Sequence, residues 1–119
     1  MPINGQVGTV KYDEVRARGA AHPPVIVSGT FAAGSKLALG LILARKADGS
    51  YAPYNPSGSA PLNKPVAVLD EDLDTDRSTS GMVIIHGSAL AVHLKVGAGG
   101  DKPNAAQLAA LRDAGVYPE

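Results

Sequence analysis

The acidic run Asp70-Glu71-Asp72-Leu73-Asp74-Thr75-Asp76 places Asp72, Asp74 and Asp76 at the 1, 3, 5 spacing of a calcium loop. The rest of the loop does not follow. Position six is Arg77, where glycine makes the sharp turn, and position twelve is Val83, where a bidentate glutamate belongs. The run reads as a solvated loop capping the end of a strand. Gly29-Thr30-Phe31-Ala32-Ala33-Gly34 has the glycine spacing of a phosphate loop, but Ser35-Lys36 reverses the required order. Gly97-Ala98-Gly99 lacks the third glycine of a dinucleotide fingerprint. Of the three histidines, His86 and His93 fall on one hairpin in this reading, with no carboxylate beside them in sequence. They read as a surface face rather than a metal pair. No Gly-x-Ser-x-Gly elbow occurs. Asn55-Pro56-Ser57 is blocked as a glycosylation site by its proline. These residues support no catalytic, cofactor or metal assignment, and the chain is not expected to be an enzyme.

Composition narrows the classes further. The 119 residues weigh 12.1 kDa, which is one ordinary domain. There is no cysteine, hence no disulfide framework and no thiolate site. Eleven basic residues balance eleven acidic ones, which argues against a nucleic-acid partner. Aromatics are only 4%, leaving few platforms for stacking a base or sugar. Fourteen glycines and nine prolines suit short strands joined by turns. Met1 to Gln6 has neither a basic nor an apolar leader region. The longest near-apolar run, Leu37 to Ala44, is far short of the ~20 residues that span a bilayer. No membrane partner is expected, and a cytoplasmic site of synthesis is the default.

The elements follow from local pattern. Residues 1–24 read as an N-terminal arm, glycine-punctuated and ending at Pro23-Pro24. Within it Val10 and Tyr12 alternate with Thr9 and Lys11, the period of a strand. Residues 25–119 read as one β-rich domain. Val25-Ile26-Val27 is a strand stopped by Ser28-Gly29. Lys36 to Lys46 alternates through Leu37, Leu39, Leu41 and Leu43, with a bulge or close approach at Gly40. Asp48-Gly49 is a hairpin turn. Prolines 53, 56, 61 and 65 mark a loop, and Pro65 to Leu69 is the next strand. Met82–His86 and Ala89–Val96 read as a hairpin about Gly87-Ser88, with Val83, Ile85, Leu90, Val92 and Leu94 on one face. Asn104 caps a helix over Ala105–Ala114, with Leu108 and Leu111 on one side. Gly115 stops it, and Val116 or Tyr117 packs back on the last turn.

The whole layout is more informative than any single motif. Gly34 to Ala44 is followed by Asp48 to Tyr54. Pro65-Val66-Ala67-Val68-Leu69 then runs into the acidic turn. Last come the Gly87 segment and Leu108-x-x-Leu111-Arg112-Asp113-Ala114-Gly115-Val116-Tyr117. This resembles the head decoration proteins of tailed bacteriophages, the family typified by the lambda head protein D, over roughly residues 25–118. The resemblance implies a mainly β (α+β) fold: a small sandwich- or barrel-like domain with one short C-terminal helix and a flexible N-terminal arm. It implies a homotrimer on the outer surface of an expanded phage head, cementing the virion against internal DNA pressure. The major capsid protein is the implied partner. The capsid-contact candidates are Gly8, Thr9, Val10, Lys11, Tyr12, Asp13 and Glu14, placed to add a strand to a capsid sheet. The trimer contact is left between the proline loop Tyr51–Pro61 and one face of the hairpin. The alternatives are another virion or tail module and a small ligand-binding β domain.

Overall fold

The computed structural model describes residues 16–119. Its strands are β1 (Val25–Thr30), β2 (Lys36–Leu37), β3 (Ile42–Arg45), β4 (Tyr51–Pro53), β5 (Ala67–Leu69), β6 (Leu73–Asp74), β7 (Ser80–Ala89) and β8 (Val116–Pro118). One helix, α1, spans Ala105–Asp113. The main sheet has the order β1-β7-β5-β3-β4, with β8 added to β7. The pairings are antiparallel except β7 with β8. A parallel bridge between Phe31 and Tyr51 joins the two outer edges, so the sheet closes on itself at one end. The fold is mainly β with one short C-terminal helix, as the sequence and the resemblance implied.

Strand alternation sorts the side chains into two cores. Ile26, Ile84, Val68 and Ile42 are successive cross-strand partners and form one row. They pack with Leu111 and Leu108 of α1, Val116 of β8, and Ala17, Tyr54, Leu94 and Val96. The neighbouring row, Val27, Val83 and Leu69, faces the other way. It packs with Phe31, Leu41, Leu43, Tyr51 and Leu73. Burying each large aliphatic stabilises by about 1.5–3 kcal/mol. The β2–β6 pair lies over this second core and is tied by Ser35 and Thr75, which exchange hydrogen bonds at 2.8 and 2.9 Å.

Several local expectations hold. Asp48-Gly49 turns β3 into β4, with the Asp48 carboxylate accepting from Ser50 N–H (2.9 Å) and Oγ–H (2.7 Å). Asn104 caps α1 in a full capping box. Its side chain accepts from Gln107 N–H, and the Gln107 side chain accepts from Asn104 N–H, both at 2.9 Å. Val116 is fully buried beyond Gly115. One strand end is corrected: Ser28-Gly29 does not stop β1, which runs on to Thr30 because Gly29 and Thr30 pair with Gly81 and Ser80.

Two further expectations are corrected. The segment Lys36–Lys46 is not one strand. A turn closed by Leu41 N–H to Ala38 O (3.1 Å) separates β2 from β3. Gly40 makes it possible: its φ is +87°, and a Cβ there would lie 1.8 Å from His93 O. More importantly, there is no hairpin about Gly87-Ser88. β7 runs straight through as one ten-residue strand. Gly87 has φ +95°, and Pro23 O and Pro24 Cα would lie 2.7 Å from any Cβ. The glycine therefore lets β7 pass close to another stretch of backbone rather than reverse. The chain leaves the strand at Leu90, and Ala91–His93 form a 3-10 turn in which Val92 is 76% exposed. Val92 therefore shares no inner face with Val83.

Candidate assembly surfaces

The capsid-contact candidates Gly8, Thr9, Val10, Lys11, Tyr12, Asp13 and Glu14 lie outside the described residues. What is described is how the chain from Arg16 onward enters the body. β7 changes partners at Gly87. Up to His86 it pairs with β1, and with β5 at Val83 and Ile84. Beyond it Gly87, Ser88 and Ala89 pair with β8 on one side. Arg18 bridges Ala89, antiparallel, on the other. Residues 17–22 thus prolong the line of β1 along β7.

Every N–H from Ala17 to His22 has a partner. Ala17 and Arg18 donate to Asp70 Oδ1 (2.8 and 3.1 Å). Gly19 donates to Ser88 O (2.8 Å). Ala20 and Ala21 donate to the two carboxylate oxygens of Glu119 (2.9 and 3.0 Å). His22 donates to Ser88 Oγ (2.8 Å). In return, Ala17 O and His22 O accept from Leu90 and Ser88 N–H. Such complete pairing is what holds irregular backbone against a body.

Asp70 is fully buried at the end of β5. Besides the two backbone donors it accepts from Arg18 Nε (2.8 Å) and pairs with Arg18 Nη2. Arg16 Nη1 donates to its carbonyl (3.1 Å). A buried carboxylate is tolerated only when so surrounded. Its neighbours in the acidic run are also structural acceptors. Glu71 Oε2 accepts from Met82 N–H (2.7 Å), and Asp72 Oδ1 accepts from Leu39 N–H (2.8 Å). Among the described residues no three His, Asp or Glu side chains gather as a metal site.

Glu119 is exposed, and its carboxyl is held below its ordinary value. The N–H groups of Ala20 and then Ala21 are the largest causes, and the Ser88 hydroxyl adds to them. The histidines are placed differently from the sequence reading. His22 and His86 flank the Tyr117 ring, at centroid distances of 5.1 and 5.8 Å. His93 sits in the 3-10 turn, its carbonyl against Gly40.

Of the two surfaces named for a subunit contact, the hairpin face does not exist. The proline loop forms one wall of an open groove of about 430 Å³, lined by Pro53, Tyr54, Pro56, Leu62, Val96 and Asp101. No helix among the described residues is long and apolar enough to cross a membrane.

Sequence reasoning missed Asp70, Ser88 and Glu119. One signal was present. Asp70 follows the wholly apolar Ala67-Val68-Leu69 without a break.

No curated protein matches the chain. The family profile of the bacteriophage lambda head decoration protein D matches residues 14–116. The match takes in the packed root at 17–22, every strand up to the start of β8, and the helix. With most of the chain covered and the mainly β fold in agreement, the chain belongs to the bacteriophage lambda head decoration protein D family and is a capsid-decoration structural protein.

Proposed function

We propose that this protein binds as a homotrimer to the outer surface of an expanded phage head and stabilises it against packaged DNA. Its contacts are with the major capsid protein and with its own copies, not with nucleic acid or membrane, and it performs no catalysis. Residues Gly8–Glu14 add a strand to a capsid-protein sheet. The observation that supports this is the root at 17–22, which is seated against β7 and Glu119 with all its N–H groups paired. The alternating segment Thr9–Tyr12 lies just ahead of it in sequence.

The energetics favour strand addition. Ordering a backbone residue costs about 1–2 kcal/mol. A short segment offsets that only by combining ladder hydrogen bonds with buried side chains, here Val10 and Tyr12. Three such segments on one trimer then act jointly, so weak single contacts give firm attachment. The proline loop Tyr51–Pro61 is the remaining candidate for the contact between copies.

Deleting residues 2–14 and measuring binding to expanded, undecorated capsids tests the reading. Binding is expected to be lost, and unchanged binding sinks it. Light scattering on the purified protein tests the trimer, against which a strict monomer on and off the shell would count.

A further inference from the structure

We propose that Asp70 is the positioning residue for the N-terminal segment: its buried carboxylate latches the root and so fixes where and in which direction residues 8–14 leave the body. The proposal rests on the reading that those residues bind the capsid.

The case begins with what the carboxylate does not do. It ends β5 with no exposure, yet it belongs to no metal cluster among the described residues and lies away from the groove. Its partners come instead from the chain just beyond residue 15. Oδ1 takes both the Ala17 and Arg18 N–H groups, and Oδ2 takes the Arg18 guanidinium. The Asp70 carbonyl takes Arg16 Nη1. A single residue of the core thus holds three consecutive residues of the root. The two parts are 52 to 54 positions apart in sequence. Charge-assisted hydrogen bonds of this kind are about twice as strong as neutral ones.

The latch matters through chain length and direction. With the root attached, residue 15 is the last one before a fixed point. With residues 16–18 released, three more residues separate Gly8–Glu14 from the next fixed point, Gly19, whose N–H is held by Ser88 O. Effective concentration falls as about the −3/2 power of tether length, roughly a twofold loss per segment from length alone. Recovering the fixed direction on binding also re-orders those three residues, which adds to the loss. For three segments acting together, a weakening of about fivefold or more is expected.

Asp70→Asn is the informative change. Its side-chain oxygen still accepts from the two backbone N–H groups. Its amide NH₂ then faces the Arg18 guanidinium, donor against donor. Two measurements are made on the full chain and on the chain lacking residues 2–14. The first is amide hydrogen exchange. Exchange at Ala17 and Arg18 is expected to rise more than tenfold, with Val68 and Val83 unchanged. Unchanged exchange at the root overturns the proposal. The second is binding to expanded capsids. Asp70→Asn is expected to weaken the full chain about fivefold or more and to change nothing once residues 2–14 are gone. Full-strength binding by Asp70→Asn, with binding lost on deletion, overturns the proposal and leaves the capsid reading standing. Equal weakening with and without residues 2–14 also overturns it, since Asp70 then acts through the body. Unchanged binding on deletion overturns the reading and the proposal together. If Asp70→Asn does not fold, Arg18→Gln serves in the same scheme, because the Arg18 side chain is 39% exposed and tolerates loss better.

Discussion

Replacing Gly40 by alanine tests the central geometry of the fold, because two separate costs fall on one residue. Its φ of +87° lies where an L side chain is strained, at about 1–2 kcal/mol. The new Cβ would also lie 1.8 Å from His93 O and 2.6 Å from His93 C. Both neighbours are backbone, so the overlap cannot be relieved by a rotamer change. One strand of contacts has to move, at about 1–3 kcal/mol for an overpacked site. That movement strains two hydrogen bonds made by Gly40 itself, from its N–H to Leu69 O (2.8 Å) and from Lys95 N–H to its carbonyl (3.0 Å). Losing one adds about 1 kcal/mol. The sum is about 3–6 kcal/mol, a large part of the roughly 5–15 kcal/mol that stabilises a domain. Gly34→Ala is the control. Its φ is +98°, but no atom lies within 4 Å of the added Cβ, so it should lose only about 1–2 kcal/mol. The gain from stiffening the unfolded chain is common to both and cancels. Urea unfolding at one fixed protein concentration measures the pair. Equal losses for the two variants would refute the claim that the His93 carbonyl dictates glycine at position 40.

Two smaller predictions complete the set. Asn104→Ala removes the acceptor for Gln107 N–H and should cost about 1 kcal/mol in the same urea assay, whereas Asn104→Gly should cost only a few tenths. Glu119 has a lowered carboxyl pKa, caused first by Ala20 N–H and then by Ala21 N–H. Its contact is therefore at full strength above the ordinary value of 4.5 and is lost as pH falls through the lowered value. The amide proton shifts of Ala20 and Ala21 should titrate together in that acid range, and Glu119→Gln should abolish the titration.

The elements that were legible in the sequence are those whose signals are local. Asn104, Gln107 and Gly115 lie within or next to one helix, and Asp48-Gly49 lies within one turn. The β1, β3 and β5 cores are short aliphatic runs. The Gly87 segment misled because local pattern does not distinguish two uses of the same residue. A Gly-X pair between two alternating runs fits a reversal, and it equally fits a strand that needs positive φ to pass Pro23 and Pro24. Only the tertiary approach decides. The root was illegible for a related reason. Arg16-Ala17-Arg18-Gly19-Ala20-Ala21-His22 has no apolar stripe. Its N–H acceptors sit at Asp70, Ser88 and Glu119, far along the chain. Asp70 itself was hidden inside an acidic run whose composition reads as solvated, although it is fully buried.

The antiparallel seating of residues 17–22 on β7 also has a mechanical side. The bonds of Ala17 to Leu90, Gly19 to Ser88 and Ser88 to His22 lie across the strand axis. A pull on residue 16 along that axis loads them together, in shear. A pull away from the sheet peels them one after another, starting at Ala17. The same bonds are thus a strong joint in one direction and a weak seam in the other. Attachment under tension depends on the angle at which the load arrives, not only on how many bonds there are.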